Sequence, residues 1–181
     1  KAIGKPIAKL ATQLMQGFTL EDVDFTKEFS PKYQAVKEAV LPFKRFPGSD
    51  TLLGPEMRST GEVMGLAKDF GIAYAKSELA AGNGVPSEGV AFLSTNDLDK
   101  KNLEEIAKEL LILGFKLIAT KGTAAYLVDL GIQVEEVLKV HEGRPNIEDQ
   151  IRSGLVQLVI NTPIGSRALH DDAYLRRAAL E

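Results

Sequence analysis

The second half of the chain alternates short apolar runs with stretches of helical periodicity. The apolar runs are typical of strands and lie at 89–94, 115–119, 134–139 and 155–161. The helical stretches between them lie at 99–113, 123–130 and 147–152. On the first of these helices, apolar residues share one face: Leu103, Ile106, Ala107, Leu110 and Leu111. Strands that alternate with helices imply right-handed crossovers, so the pattern predicts an α/β domain whose parallel sheet is covered on both faces.

The first eighty residues have a less regular pattern. It predicts a helix near Pro6–Met15, a second helix over 63–79, and a short strand at 38–43 that Pro42 confines to a sheet edge or a strand end. The Gly-, Asn- and Pro-rich segment 82–88 favours turns and offers nothing to a core. These features predict a domain at 1–81, a linker at 82–88 and a second domain at 89–181.

Composition narrows the possible functions. The 181 residues are 44% hydrophobic and 26% charged, as in ordinary folded chains, and no apolar run approaches the roughly 20 residues of a membrane-spanning helix. A net charge of -3 gives no general attraction to nucleic acid or anionic lipid. The absence of cysteine excludes disulfides and thiolate chemistry and suits a reducing compartment. We therefore expect a cytoplasmic protein, and the non-methionine start and the helical 174–181 end suggest a fragment.

The candidate chemistry lies just after the predicted strands, because ligands of open parallel sheets bind beyond the carboxyl ends of the strands. Thr120, Lys121, Gly122 and Thr123 follow the second strand and lead into a helix. Hydroxyls, an amine and helix-end amides suit a phosphate. The same residues also fit a helix cap at Thr123 and a turn at Gly122. These residues alone do not decide between the two interpretations.

The other three strand ends are polar as well. Ser94 and, further on, Lys100 follow the first strand, Lys139 ends the third, and Asn161 and Thr162 end the fourth. Each has an ordinary interpretation as a solvated loop, a surface lysine or a turn before a proline. Because all four places converge on one edge of the sheet, we predict a shared site there, with the lysines facing an anion and Asn161 reading a base or a sugar.

No recognisable catalytic or metal site stands in the sequence. It contains no nucleophile elbow, no Walker-type Gly-Lys-Ser/Thr and no spacing typical of a metal pair. The two histidines, His141 and His170, fit structural or exposed positions better than catalytic ones. We therefore predict no catalytic residue, no metal and no cofactor in this chain.

Several longer stretches carry a family resemblance. They lie at 36–43, 54–65, 119–124 and 139–145 and read VKEAVLPF, GPEMRSTGEVMG, ATKGTA and KVHEGRP. They closely resemble the large subunit of carbamoyl-phosphate synthase, and the resemblance runs along essentially the whole chain. It implies that 1–81 is the mixed α+β tail of the second ATP-grasp unit and that 89–181 is a Rossmann-like, three-layer regulatory domain of the methylglyoxal-synthase type.

The resemblance also implies a function. The parent protein would use ATP, with Mg or Mn, to make carbamoyl phosphate from bicarbonate and glutamine-derived ammonia for pyrimidine and arginine biosynthesis. Its ATP- and metal-binding residues would precede Lys1, and its partners would be a small glutamine-amidotransferase subunit and further copies of itself. This chain would be the non-catalytic regulatory end, which binds a nucleotide monophosphate of the UMP or IMP type.

The family's effector contacts, carried over by position, fall on Lys100, Thr120, Thr123, Lys139 and Asn161, with Ser94 nearby. Together with the strand-end residues, they predict phosphate binding by Lys100, Thr120, Lys121, Gly122, Thr123 and Lys139, and ribose or base binding by Ser94, Asn161 and Thr162. Pro163 departs from the family, which commonly has a threonine there, so one hydroxyl contact is missing. Glu38 matches half of an ornithine site whose other half would lie beyond Glu181.

Two other functions stay open. Methylglyoxal synthase, a lyase acting on dihydroxyacetone phosphate, shares the fold and the phosphate pocket. The stretches that would carry its two aspartates, 143–146 and 163–166, contain none, although Asp149 lies close to the first. Alternatively, the domain is mainly structural and serves as an interface for oligomerisation.

Overall fold

The computed structural model describes residues 2–45 and 59–180, which form two units. The first unit contains residues 2–41 and 59–85, and the second contains 42–45 and 86–180. The main body of the second unit thus starts within the turn-rich segment 82–88. Residues 54–58 of the family-like stretch 54–65 lie outside the described residues.

The first unit pairs two strands with a helix. Its elements are helix α1 at Ile7–Met15, strand β1 at Gln34–Val40, strand β2 at Gly61–Ala67 and helix α2 at Phe70–Ala81. The strands are antiparallel, with Gln34 opposite Ala67 and Val40 opposite Gly61, and α2 packs on both of them.

Two sequence predictions are wrong in this unit. The predicted helix over 63–79 is β2 followed by α2, because the Asp69 side chain accepts a hydrogen bond from the Ile72 N–H at 3.0 Å and caps a helix that starts only at Phe70. Gly65 lets α2 pack closely on β2, because a Cβ there would lie 1.9 Å from the Ala73 carbonyl oxygen of α2. The predicted strand at 38–43 is shifted, since β1 already ends at Val40, ahead of Pro42.

The second unit is a sheet of four parallel strands in the order β5-β4-β3-β6. Its strands are β3 at Gly89–Thr95, β4 at Phe115–Thr120, β5 at Glu135–Val137 and β6 at Leu158–Thr162. Its helices are α3 at Leu103–Ile112, α4 at Lys121–Asp129, α5 at Ile147–Arg152 and α6 at Ser166–Leu180, and a 3-10 turn at Lys100–Asn102 precedes α3.

Helices cover both faces of this sheet. Alternate residues of β3 point to opposite sides, so Ala91 and Leu93 join a core with α3 and α4, whereas Phe92 joins a core with α5 and α6. Strands buried on both faces are rich in apolar residues throughout, which explains the near-continuous runs seen in the sequence. The predicted three-layer, Rossmann-like α/β fold is confirmed.

Details of the second unit differ from the sequence pattern. In α3 the buried side chains are Leu103, Ala107 and Leu110, whereas Ile106 and Leu111 are 40% and 38% exposed, so the buried stripe is narrower than predicted. Helix α4 begins at Lys121, two residues earlier than predicted, because Thr120 already has the extended backbone of a residue that precedes a helix. Within the described residues, no helix is both long enough and apolar enough to cross a membrane.

Candidate functional site

A cavity of about 180 Å³ opens at the carboxyl ends of β3, β4 and β6, and we call it the strand-end cavity. The sheet order places β4 on one side of β3 and β6 on the other, so β3 lies where the strand order reverses. Ligands of open α/β sheets bind at such a point. The lining residues are Phe92, Ser94, Thr95, Asn96, Thr120, Lys139, Val140, Ile147, Asn161, Thr162, Pro163, Ile164, Asp171 and Leu175.

The structure brings five of the predicted site residues to this cavity: Ser94, Thr120, Lys139, Asn161 and Thr162. They come from the ends of β3, β4 and β6 and from the segment after β5. Pro163, where the resemblance predicts a departure from the family pattern, also lines the cavity. Distant stretches of sequence thus meet at one edge of the sheet, as the alternation of strands and helices predicts.

The start of α4 sits at this edge, and its buried threonine is used inside the protein. Thr123 is 1% exposed, and its hydroxyl oxygen accepts the Thr95 backbone N–H at 3.1 Å. The Thr120 hydroxyl donates to the same oxygen at 3.4 Å and makes no cap bond to a helix amide. The Thr120 side chain therefore does not cap the backbone amides in the first turn of α4. Uncapped amides at the start of a helix favour binding of an anion. Lys121 and Gly122 are exposed and do not line the cavity.

Lys100 is held away from the cavity lining. Its ammonium group lies 2.7 Å from the Asp97 carboxylate and 5.8 Å from the centre of the Tyr126 ring. The hydrogen bond and the positive charge of Lys100 lower the pKa of Asp97. Lys100 therefore already has an anionic partner within the protein.

Lys139 is the cation that lines the cavity. The residue is half-buried, and within residues 2–45 and 59–180 no carboxylate forms an ion pair with its ammonium group. Its backbone N–H donates to the Glu142 carboxylate at 2.8 Å, which fixes the start of the turn that follows β5. A half-buried cation without an anion is a place where a negatively charged ligand gains binding energy.

Two carboxylates of α6 contact the site, and the sequence pattern missed both. Asp171 lines the cavity and lies 2.7 Å from His141 Nδ1. Asp172 is 4% exposed and accepts a hydrogen bond from the Asn161 amide nitrogen at 2.8 Å. Because these partners lie 30 and 11 residues apart and no periodicity links them, only the folded chain reveals the contacts.

The floor of the cavity ties β3 to β6. The Asn96 backbone N–H donates to the Thr162 hydroxyl at 3.2 Å, and the Asn96 side chain donates to the Thr162 carbonyl at 3.1 Å. Thr162 thus uses its hydroxyl and its carbonyl within the protein. Its contribution to the site is to hold the strand ends together.

Asp149, the carboxylate closest to the lyase pattern, is engaged at the start of α5. It accepts the Asn146 backbone N–H at 3.0 Å, while the Asn146 side chain accepts from the amides of Glu148 and Asp149, which forms a capping box. Asp149 also lies 3.6 Å from Arg144 and does not line the cavity.

Glu38 belongs to the first unit. It is half-buried on β1 opposite Val63. The pKa of Tyr74, on α2, is raised mainly by a hydrogen bond to Glu78. The negative charge of Glu78, burial and the charge of Glu38 raise it further, in that order.

Among the described residues, no cluster of three or more histidine or carboxylate side chains is arranged to hold a metal ion.

Known proteins resemble this chain along its length. Residues 102–181 match the MGS-like domain family. The chain is 53% identical over 180 residues to the carbamoyl phosphate synthase large chain of Nostoc sp., covering 99% of this chain and 16% of that protein. It is 52% identical over 181 residues to the chloroplastic, arginine-specific large chain of Oryza sativa subsp. japonica, covering 99% of this chain and 15% of that protein. This chain belongs to the carbamoyl phosphate synthase large-chain family.

The family assignment confirms the resemblance seen in the sequence. The large chain of Synechocystis sp. gives the same result, with 53% identity over 182 residues that cover 100% of this chain and 17% of that protein. This chain spans about one sixth of the length of these relatives. The strand-end cavity and most of its lining lie within or next to the stretch that matches the MGS-like domain.

Proposed function

We propose that this chain is the regulatory end of a carbamoyl phosphate synthase large chain and that it binds a nucleotide monophosphate in the strand-end cavity. Lys139 carries the proposal, because this half-buried residue lines the cavity and its ammonium group has no ion-pair partner among the described residues. A phosphate that accepts hydrogen bonds from this lysine satisfies the charge, and charge-assisted bonds of this kind are the strong ones.

The order of the strands supports a phosphate-to-base arrangement along the sheet edge. Strands lie about 4.8 Å apart, so the ends of β4 and β6, which flank β3, are about 10 Å apart. Thr120 and Lys139 hold the phosphate at the β4 and β5 end, and the first-turn amides of α4 add to the anion site. Ser94 on β3 then faces the ribose, and Asn161 on β6 faces the base. The apolar side chains of Ile164 and Leu175 give the base an uncharged wall.

Lys100 joins the phosphate only by exchanging partners. It pairs with Asp97, whose carboxylate is exposed, so the exchange would replace a weak surface ion pair with a contact to phosphate. Lys121 and Gly122 contribute through the amides and flexibility of the α4 start, and Thr123 contributes by positioning β3.

The parent protein supplies the catalysis in this proposal. It uses ATP with Mg or Mn to join bicarbonate and glutamine-derived ammonia, with a small amidotransferase subunit as partner, and it assembles with further copies of itself. The first unit is then the tail of an ATP-grasp domain, and Glu38 contributes to an ornithine site. Effector binding changes synthesis only through a different affinity for two arrangements of the parent, a coupling of typically about 1–3 kcal/mol.

Calorimetric titration of UMP and IMP into the chain tests the proposal. We expect Lys139→Ala to weaken binding of the preferred nucleotide about 10- to 150-fold, the loss expected for a charged hydrogen bond. Lys116→Ala is the matched control, because Lys116 is an exposed lysine of β4 that does not line the cavity. In the parent synthase, the effector concentration for half-maximal response should shift by the same factor.

Three results would contradict the proposal. Unchanged affinity in Lys139→Ala would remove the lysine from the site. Failure of the unsubstituted chain to bind either nucleotide would favour a structural oligomerisation role. Formation of methylglyoxal from dihydroxyacetone phosphate would favour the lyase instead.

A further inference from the structure

A histidine–carboxylate pair joins the wall of the strand-end cavity to the segment that carries Lys139. His141 follows Lys139 in the segment between β5 and α5, and its Nδ1 atom lies 2.7 Å from the Asp171 carboxylate of α6. The Asp171 side chain is 14% exposed and belongs to a residue that lines the cavity, whereas the His141 side chain is 39% exposed. The imidazole can therefore exchange a proton with solvent, while its partner borders the space for a ligand.

Asp171 opposes the binding of an anion unless its charge is balanced. Asp171 and Lys139 line the same cavity of about 180 Å³, and a space of that size is narrower than the screening length of about 8 Å at physiological ionic strength. Both charges therefore act on an anion inside the cavity. A neutral His141 leaves the charge of Asp171 to work against that of Lys139, whereas a protonated His141 balances it.

Histidine is the side chain whose charge ordinarily changes near neutral pH. The described charged residues in the segment of His141 and on α5 and α6 are of other types, which ordinarily keep their charge between about pH 6 and 8. They are Lys139, Glu142, Arg144, Glu148, Asp149, Arg152, Asp171, Asp172, Arg176 and Arg177. The second histidine of the chain, His170 on α6, contacts the Tyr174 ring, with 5.2 Å between the ring centres.

We propose that the pair of His141 and Asp171 couples the strand-end cavity to pH: protonation of His141 strengthens the binding of a phosphate, and binding of the phosphate in turn favours protonation of His141. This inference rests on the proposed function and adds a regulation of the same site. The two effects are equal in size, because coupling between two bound species is reciprocal.

Titration of UMP and IMP into the chain at about pH 6 and at about pH 8 tests the coupling. Phosphate itself ionises near pH 6, so each variant is compared with the unsubstituted chain at the same pH. His141→Asn keeps a polar side chain but cannot be protonated. At about pH 6 we expect it to bind the preferred nucleotide about 3- to 10-fold more weakly than the unsubstituted chain. At about pH 8, where histidine is ordinarily neutral, the two affinities should agree within about twofold.

Two further variants separate the pair from other causes. His170→Asn removes the other histidine, which neighbours Asp171 on α6, and it should leave both affinities unchanged. Asp171→Asn removes the charge that His141 balances, so at about pH 8 it should bind the nucleotide about 3- to 10-fold more tightly than the unsubstituted chain. Calorimetry in two buffers of different ionisation enthalpy should show that the unsubstituted chain takes up more protons on binding than His141→Asn does.

The outcomes separate this inference from the proposed function. If neither nucleotide binds, the proposed function fails, and the inference fails with it. If a nucleotide binds and the affinity ratio between the unsubstituted chain and His141→Asn is the same at both pH values, the inference alone is overturned. It is also overturned if His170→Asn reproduces the effect, or if Asp171→Asn is folded by circular dichroism and binds no more tightly than the unsubstituted chain.

Discussion

The hydrogen bond from the Thr95 N–H to the Thr123 hydroxyl is the contact whose loss we can predict most sharply. The N–H belongs to the last residue of β3, and the hydroxyl that accepts it at 3.1 Å belongs to a residue that is 1% exposed. Thr123→Val keeps the shape of the side chain and removes the acceptor. A buried donor that is left unsatisfied costs about 1–3 kcal/mol. Because this N–H is only partly buried and its residue lines the cavity, the free energy of unfolding should fall by about 1 kcal/mol, the lower end of that range.

A second threonine provides the control. The Thr95 hydroxyl oxygen is buried and has no hydrogen-bond partner among the described residues. Thr95→Val therefore removes a polar atom that was desolvated without compensation, and it should leave stability unchanged or raise it by about 1 kcal/mol. The same change from threonine to valine should therefore lower the free energy of unfolding at Thr123 and not at Thr95.

Urea unfolding and amide hydrogen exchange measure the effect. We expect a lower unfolding midpoint with an unchanged m-value in Thr123→Val, and faster exchange of the Thr95 amide. Thr123→Ser keeps the hydroxyl and should restore protection of that amide. The reasoning is refuted if Thr123→Val is as stable as the unsubstituted chain, or if Thr95→Val is the more destabilising of the two.

Two further predictions concern the first unit. Gly65→Ala should destabilise the first unit by about 1–3 kcal/mol or more, because the new methyl group would lie 1.9 Å from the Ala73 carbonyl oxygen. Gly61→Ala, on the same strand, is the control. Its methyl group would meet nothing within 4 Å, so the unfolding midpoint should change little. Because the Glu78 hydrogen bond raises the pKa of Tyr74, the folded unit holds this proton more tightly than the unfolded chain, so its unfolding free energy should fall as the pH rises above the ordinary value of 10.0. Tyr74→Phe should remove that part of the pH dependence, and an identical alkaline slope in the variant would contradict the assignment.

The fold of the second unit was accessible from sequence because burial on both faces leaves a strong local signal. Strands such as 89–94 and 115–119 are near-continuous apolar runs, and the helices between them leave few alternatives to a parallel sheet. The first unit was harder to predict. Its strand β2 contains Gly65, whose role is to let α2 approach, and its apolar positions also fit a helix, so 63–67 was misassigned.

The candidate site, too, could be predicted from the sequence only in part. Ser94, Thr120, Lys139 and Asn161 could be chosen because each lies at or just beyond the carboxyl end of a strand, and parallel strands end at one edge. Whether they bind a nucleotide stays a prediction. The partners of these residues could not be chosen, because a contact such as Asn161 with Asp172 depends on how α6 returns over the sheet. Periodicity reports which face of an element is buried, not which polar group lies across from it.

The bonds at the end of β3 have a consequence for how such a site can change over time. Thr95 is tied to α4 through Thr123, and Asn96 is tied to β6 through Thr162, so the cavity floor is shared by three elements. A substitution at these bonded positions of the cavity floor should therefore destabilise the fold as well as change ligand binding. At the rim, the side chains of Pro163 and Ile164 carry no hydrogen-bonding groups and share no such bonds. We therefore expect that variation at these two positions alters ligand preference while folding is preserved, and the resemblance to the family marks Pro163 as one position that differs.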